Sequence, residues 1–241
     1  MLRKLIGCLV AVLGLNGCAE DAKSEDVRTS GIYAGMGVTA STADTSSLDV
    51  YLKVGGSSSN TYLTLTNGDK LTALLNSGVS KTLTKSVNST GEVHYVATFS
   101  DASAGTTDSS YIVSFDRVTD QDALSSTVLM PAAVANFDVQ PQTFSRGTGA
   151  VTLTWTGTDD TKQLALNITG DCFGATSFSV IDSGSYVLNA GVLSPLGSSG
   201  TNCVVTFKLS RIQSGTLDSA FGEGGKIQAT NSRTVNANST P

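Results

Sequence analysis

Residues able to act as acids, bases or nucleophiles are few in this 241-residue chain, and His94 is its only histidine. A serine hydrolase needs such a base beside a nucleophile held on a sharp turn, but the sequence has no Gly-x-Ser-x-Gly segment. His94 lies in the alternating run 92–100, where it shares a face with Glu92 and Val96. We therefore expect a solvated or lightly paired strand histidine, and we assign no catalytic residue.

Adjacent carboxylates are the second candidate for chemistry. Asp159 and Asp160 follow Gly157 and Thr158, and two carboxylates that flank a glycosidic bond can hydrolyse it. Clustered carboxylates in a loop can also hold Ca²⁺. However, a Gly-Thr-Asp-Asp segment is typical of a hairpin turn, where Asp side chains bond to local backbone amides. Asp159 and Asp160 are therefore weak metal candidates, and we expect neither a metal nor a cofactor.

Charge and aromatic content limit the possible partners. The chain has 15 basic and 20 acidic residues, a net charge of −5, which repels phosphate backbones and argues against nucleic acid. The acidic residues around Arg117 are interpreted as a solvated loop with a surface ion pair. Exposed aromatic rings can bind sugars, and the alternation makes Tyr33 and Tyr51 the candidates. Two tyrosines do not by themselves form a platform.

The N-terminus has the pattern of an export signal. Arg3 and Lys4 precede the apolar run 5–15, which is too short for the roughly 20 residues that span a bilayer. The run ends in Leu-Asn-Gly-Cys at 15–18, which resembles the lipobox of bacterial lipoproteins. The resemblance implies cleavage after residue 17, lipidation of Cys18 and, because Ala19 follows the cysteine, an outer-membrane address. Ordinary signal cleavage is the alternative.

The remaining cysteines suggest a disulfide. Cys8 would leave with the signal and Cys18 would carry the lipid, so Cys172 and Cys203 are the two thiols left in the mature chain. In an oxidising compartment such a pair is expected to be bridged. Metal ligation or redox chemistry would favour a closer Cys-x-x-Cys spacing or histidine partners. We predict a Cys172–Cys203 disulfide.

The elements that would position these residues are β-strands. From residue 48 to 54, apolar residues at even positions alternate with mostly polar residues at odd positions, which is the pattern of a half-buried strand. Residues 93–99, 111–115, 151–156, 164–169 and 203–209 alternate in the same way. The segments 62–65 and 71–75 flank Asn67-Gly68-Asp69, which predicts a hairpin. No amphipathic helix is expected.

The strands divide into two similar halves. A strand ends at Arg117 in the first half, and another ends at Arg211 in the second. The segment 151–156, Val-Thr-Leu-Thr-Trp-Thr, resembles an early core strand of fibronectin- and immunoglobulin-like modules. We predict an all-β protein: a signal peptide (1–17), a lipidated cysteine and flexible tether (18–30), two tandem immunoglobulin-like β-sandwiches (31–131 and 132–236) and a disordered tail (237–241). One larger sandwich or barrel is the alternative.

These features predict a non-catalytic lipoprotein of the cell envelope, anchored in the outer membrane through Cys18. It would bind a protein or a polysaccharide through its sandwiches. A glycan hydrolase that uses Asp159 and Asp160, and an accessory subunit of a secretion or pilus assembly, remain as alternatives.

Overall fold

The computed structural model of the protein describes residues 20–193 and 200–241, so the predicted signal peptide and Cys18 lie outside the described residues. The described chain folds into strands, joined by turns and by two three-residue 3₁₀ segments, Ser24–Asp26 and Thr29–Gly31. The strands are β1 (Glu20–Lys23), β2 (Ile32–Ala40), β3 (Thr45–Val54), β4 (Thr61–Thr64), β5 (Lys70–Leu75), β6 (Ser80–Thr82), β7 (Thr84–Val87), β8 (Val93–Ser100), β9 (Ser110–Asp116), β10 (Ala123–Leu129), β11 (Asp138–Gln140), β12 (Thr143–Ser145), β13 (Val151–Thr154), β14 (Asp159–Gly170), β15 (Thr176–Asp182), β16 (Ser185–Leu188), β17 (Cys203–Ser214) and β18 (Gly225–Thr240).

One large sheet of eleven strands runs through both halves of the protein, in the order β1-β4-β3-β2-β18-β17-β14-β15, with β7, β8 and β12 paired at its sides. A four-stranded sheet, β10-β9-β5-β6, belongs to the first half. A three-stranded sheet, β11-β13-β16, belongs to the second half. No helix among the described residues is long and apolar enough to cross a membrane.

Two buried hydrophobic clusters fill the sandwiches. The first contains Leu48, Leu71 and Phe115, which come from both sheets of the first half. The second contains Leu153 and Phe207, from the two sheets of the second half. The alternation that predicted the strands is the cause, because every second residue of the long strands, such as β3 and β9, points into a core. The prediction of an all-β fold built from β-sandwiches is confirmed.

The strand β18 joins the two halves. It pairs with β17 antiparallel from Gln228 to Ser239 and with β2 in parallel from Gly225 to Asn231. It therefore contributes Ile227 to the first core and Ala237 to the second. The first core also takes residues from the segment assigned to the second domain, namely Ala220, Phe221, Ile227 and Ala229.

The predicted disordered tail, 237–241, is wrong. β18 continues to Thr240, and Ser239 is fully buried, where its hydroxyl accepts a hydrogen bond from Arg146 Nη1 at 2.7 Å. The polar residues at this end misled the sequence interpretation, because Asn238 and Ser239 are paired with β17 within the sheet rather than lying in a free terminus.

The predicted flexible tether, 18–30, is also wrong over the part that the structure describes. β1 pairs in parallel with β4, and Ser24 and Thr29 are buried. The guanidinium of Arg117 donates hydrogen bonds to the carbonyls of Ser24 and Val27, at 2.6 and 3.0 Å. The segment is held by hydrogen bonds from a buried arginine to its main-chain carbonyls, while its charged side chains, among them Lys23 and Glu25, remain exposed.

Arg117 itself is a correction, since the surface ion pair expected there is buried. Its Nε donates to Asp69 Oδ2 at 2.7 Å, and the side chains of both residues are almost completely buried. Asp69 belongs to the predicted hairpin, which is not one: β4 lies in the large sheet and β5 in the four-stranded sheet. The turn at Asn67, which has a φ of 54°, instead carries the chain from one sheet to the other.

Arg211 repeats this arrangement in the second half. Its Nε donates to the buried Asp182 Oδ2 at 2.8 Å, and its Nη1 donates to the carbonyls of Ala132 and Ala133. Arg117 directly follows β9, whereas Arg211 lies within β17, which continues to Ser214. Each arginine pairs with a buried aspartate and donates hydrogen bonds to carbonyls of the segment that enters its sandwich. The similarity seen in the sequence at the two arginines corresponds to a shared structural role.

The predicted disulfide is present. Cys172 and Cys203 are bonded, with their Cα atoms 5.9 Å apart. Cys172 lies two residues after the end of β14, and Cys203 begins β17. The bridge therefore links the end of one strand to the start of its sheet neighbour.

A tyrosine and lysine patch as the candidate functional site

The outer face of the large sheet carries the candidate site. In β2 and β3 the even-numbered residues are buried in the first core, for example Ala34 and Leu52. The odd-numbered residues therefore face outward. The register places Gly35 of β2 opposite Tyr51 of β3, and Lys53 of β3 opposite Tyr62 of β4. Directly paired residues share a face of the sheet, and aromatic side chains from neighbouring strands therefore meet.

The rings form a connected group. Tyr33 stacks on Tyr51, with ring centroids 6.4 Å apart. Tyr51 contacts His94 at 5.8 Å, and His94 stacks on Tyr62 at 6.4 Å. Lys53 Nζ lies over two of these rings, 5.5 Å from the centroid of Tyr51 and 5.0 Å from that of Tyr62. We call Tyr33, Tyr51, Lys53, Tyr62 and His94 the tyrosine patch.

The residues of the tyrosine patch differ in their exposure to solvent. Tyr62 is only 4% exposed and forms its floor. Tyr33, Tyr51, Lys53 and His94 are half-buried and reach solvent. Such separations and tilts suit offset or edge contacts between aromatic rings. The patch therefore presents fixed apolar ring surfaces to solvent with a cation beside them.

Hydrogen bonds at the rim fix the orientation of the rings. His94 Nδ1 is 2.7 Å from Asp49 Oδ1, and the hydroxyl of Tyr62 donates to Glu92 Oε1 at 2.6 Å. Burial, followed by the hydrogen bond and charge of Glu92, raises the pKa of Tyr62 to about 12. Burial and the neighbouring Tyr33 raise the pKa of Tyr51. Both phenols therefore stay neutral at physiological pH and keep their hydrogen-bonding protons.

Two glycines shape the surface beside the patch. The ring of Tyr51 lies directly on Gly35, where any side chain would overlap it. This close approach requires glycine. At Gly37, one step further along the same face of β2, an added Cβ would meet nothing within 4 Å. The sheet surface is therefore open at Gly37.

Beyond Gly37 the outer face contains a shallow hollow of about 300 Å³. It lies where β2 and β3 meet β17 and β18. Hydroxyl groups and one lysine dominate its lining, which includes Thr39, Ser47, Lys208, Thr230 and Ser232. We call these five residues the hydroxyl hollow.

The structure separates the other candidates from this site. Asp159 begins β14, where its carboxylate accepts hydrogen bonds from the amide and hydroxyl of Thr161, at 3.0 and 2.6 Å. These bonds lower the pKa of Asp159, and Asp160 is exposed. Asp159 also borders a cleft of about 310 Å³ that Arg211 lines. Within residues 20–193 and 200–241, no three or more His, Cys, Asp or Glu side chains are grouped as metal ligands.

Sequence reasoning identifies part of the patch. The alternation marks Tyr33 and Tyr51 as outward-facing, and it places His94 on an outer strand face. It does not bring these residues together, because their strands are far apart in sequence and the pairing of β3 with β8 has no local signal. It also misses Tyr62, because the sequence pattern predicts a hairpin between that segment and β5.

Comparisons with known proteins give limited information. No protein-family model matches the chain, and no curated protein sequence matches it. Among solved structures, a two fibronectin type-III domain segment from chicken tenascin is similar over 86% of this chain and 97% of that chain, at 13% identity and a TM-score of 0.26. A pullulanase complexed with maltotriose, from Anoxybacillus sp. LM18-11, is similar over 73% of this chain and 24% of that chain, at 6% identity and a TM-score of 0.23.

Proposed function

We propose that this protein is a non-catalytic lipoprotein of the cell envelope, anchored in the outer membrane through Cys18, that binds a protein or a polysaccharide through its β-sandwiches. The observation that carries the binding role is the tyrosine patch. Its half-buried rings at Tyr33 and Tyr51 are held in place by stacking and by glycine contact, and they face solvent. Preorganised aromatic surface of this kind binds with little loss of conformational entropy.

The arrangement of the titratable groups supports binding rather than catalysis. His94 is engaged by Asp49, and the carboxylate of Asp159 is engaged by Thr161 and by Lys162, whose Nζ is 3.6 Å away. These side chains serve as structural partners on the face of β8 and at the start of β14.

The anchor would hold the first sandwich close to the membrane. The strand β1 begins at Glu20, two residues after Cys18, and two extended residues span at most about 7 Å. The disulfide between Cys172 and Cys203 suits the oxidising compartment that such an anchor implies. The lipidated protein would therefore present its patch near the membrane surface.

Lipidation is tested by mass spectrometry of the N-terminal peptide from membrane-extracted protein. We expect a peptide that begins at Cys18 and carries diacylglycerol, and we expect Cys18→Ser to abolish both the modification and the membrane association. An unmodified peptide that begins elsewhere would refute the anchor. Protease treatment of intact and lysed cells then establishes on which side of the outer membrane the sandwiches lie.

Binding is tested with the full-length protein in detergent micelles. Purified envelope polysaccharides and envelope proteins are each titrated against the protein, and Tyr51→Ala is compared with Tyr186→Ala, a tyrosine of the second half. We expect Tyr51→Ala alone to weaken binding, by about tenfold for the loss of one stacked ring. Equal binding by both variants would refute a role for the patch.

A further inference from the structure

The outer face of β2 connects the tyrosine patch to the hydroxyl hollow. Its outward residues are, in order, Tyr33, Gly35, Gly37 and Thr39. Tyr33 belongs to the patch and Thr39 to the hollow, and the two glycines lie between them. We propose that patch and hollow are the two ends of one binding strip that holds an extended acidic polysaccharide along β2. This proposal rests on the proposed function and narrows it to one ligand class.

The length of the strip suits several sugar units. Six residue steps separate Tyr33 from Thr39, and a strand rises by about 3.3 Å per residue, so the strip is about 20 Å long. The rings of the patch offer flat apolar surfaces on which sugar rings stack. The hydroxyl groups of Thr39, Ser47 and Thr230 offer hydrogen-bond donors and acceptors at the other end.

The outer face of β2 between the patch and the hollow is open enough for a bound chain to cross it. Tyr51 covers Gly35, so the ring forms the floor there rather than a barrier. At Gly37 no side chain stands above the sheet. The neighbours of Gly37 across the sheet are Asp49 and Gln228, whose polar groups flank the opening. A chain lying on the patch can therefore continue over Gly37 into the hollow.

The charges along the strip favour an acidic chain. Lys53 belongs to the patch, Lys208 lines the hollow, and the register places Lys226 beside Gly35. Lys226 faces outward because its neighbour Ile227 is buried. The carboxylate of Asp49 is already engaged by His94 at 2.7 Å. Three lysines thus line the strip against two carboxylates, those of Asp49 and Glu92, which accept hydrogen bonds from His94 and Tyr62. In a chain whose net charge is −5, this local excess of cations complements carboxylate groups on sugars.

The ligand class is tested by calorimetric titration of the full-length protein in micelles with polygalacturonate and with its methyl ester, which has the same backbone without the charges. We expect polygalacturonate to bind more tightly and its binding to weaken with added salt. Equal affinity for the two polymers would overturn the acidic class. Equal affinity for single-stranded oligothymidylate, which also combines negative charge with stacking rings, would overturn the polysaccharide assignment.

The path along β2 is tested by Gly37→Val, with Gly174→Val as the matched control. Both glycines have open space where the Cβ would go, and Gly174 lies in the second half, between β14 and β15. We expect Gly37→Val to keep or raise the midpoint of thermal unfolding, because glycine weakens a strand interior. We expect it to lower the affinity for polygalacturonate by at least about tenfold, while Gly174→Val changes neither property.

The outcomes distinguish the strip from the proposed function. If Tyr51→Ala abolishes binding and Gly37→Val does not, the patch binds the ligand but the strip is refuted. If Lys208→Gln with Lys226→Gln lowers the affinity by about fivefold at low salt, the charge contribution is supported. An unchanged affinity in that double variant refutes it. If Tyr51→Ala has no effect on any ligand that the wild-type protein binds, the patch has no binding role and both proposals fail.

Discussion

Replacement of Asp182 by asparagine tests the buried ion pair of the second sandwich. The carboxylate is 1% exposed and accepts four hydrogen bonds: from Nε and Nη2 of Arg211 at 2.8 and 2.9 Å, from Trp155 Nε1 at 2.8 Å and from Thr158 Oγ1 at 2.6 Å. The substitution Asp182→Asn would keep one oxygen but turn an amide group toward the other donors. Removing one partner of a buried pair leaves an uncompensated charge and costs about 3–5 kcal/mol.

Acid pH should remove part of the same stabilisation in the wild-type protein. Burial alone would raise the pKa of Asp182, but the hydrogen bonds and charge of Arg211, together with Thr158 and Trp155, outweigh it and lower the pKa from 3.8 to about 2. A lowered folded-state pKa contributes stability that is present above pH 4 and is lost as the pH falls toward 2. A difference of nearly two units corresponds to about 2 kcal/mol.

The assay is urea unfolding at a series of pH values from 7 to 2, followed by the fluorescence of Trp155, the only tryptophan. We expect Asp182→Asn to lower the free energy of unfolding by about 3–5 kcal/mol at pH 7 and to flatten its decrease between pH 4 and 2. Asp160→Asn, an exposed neighbour in the same region, is the control and should change little. A loss below about 1 kcal/mol at pH 7, or an unchanged pH profile, would refute the reasoning.

Three further predictions concern the framework. Cys172→Ser with Cys203→Ser should lower the free energy of unfolding by about 3–4 kcal/mol, as expected for a closed loop of this length, and dithiothreitol should reproduce the loss in the wild-type protein but not in the variant. Asp69→Asn should remove the buried carboxylate partner of Arg117 at 2.7 Å, leaving Asp120 at 4.0 Å, and should lower the free energy of unfolding by up to about 3–5 kcal/mol. It should also make the segment 24–31 accessible to limited proteolysis, and continued protection would contradict the anchoring role of Arg117. Deletion of residues 225–241 should unfold both sandwiches, and a cooperative unfolding transition in the remaining first half would count against the shared sheet.

Local patterns were sufficient to predict the long alternating strands and their buried faces, but not the short polar strands β1, β6, β7, β11 and β12. In β3 the alternation around Leu48 and Val50 determines which side chains enter the core, and the same holds for β8. The disulfide was predictable because the predicted signal peptide and lipobox account for Cys8 and Cys18, which leaves Cys172 and Cys203 as the only possible pair. The outward direction of Tyr33 and Tyr51 followed from the same alternation.

Pairing between distant strands was not predictable. The position of β18 beside β2 depends on a parallel register between Gly225 and Ala34, and neither segment carries a local sign of the other. The packed segment 20–31 was missed for a related reason. Its main-chain carbonyls accept hydrogen bonds from Arg117, about 90 residues away, so the polarity of its side chains gives no local sign of its packing. The patch, assembled from four strands, has the same dependence on long-range register.

The central place of β18 has a consequence for biosynthesis. It follows all the other described strands in the sequence, yet both cores need residues from it. While the chain is being synthesised, β2 and β17 lack the strand that joins them, and the long-range pairing that completes the sheet forms slowly. The nascent polypeptide therefore remains incompletely folded until its last strand has been made. Under the proposed export, this delay would keep the chain unfolded enough to pass a secretory channel that excludes folded proteins. Folding would then be completed after translocation.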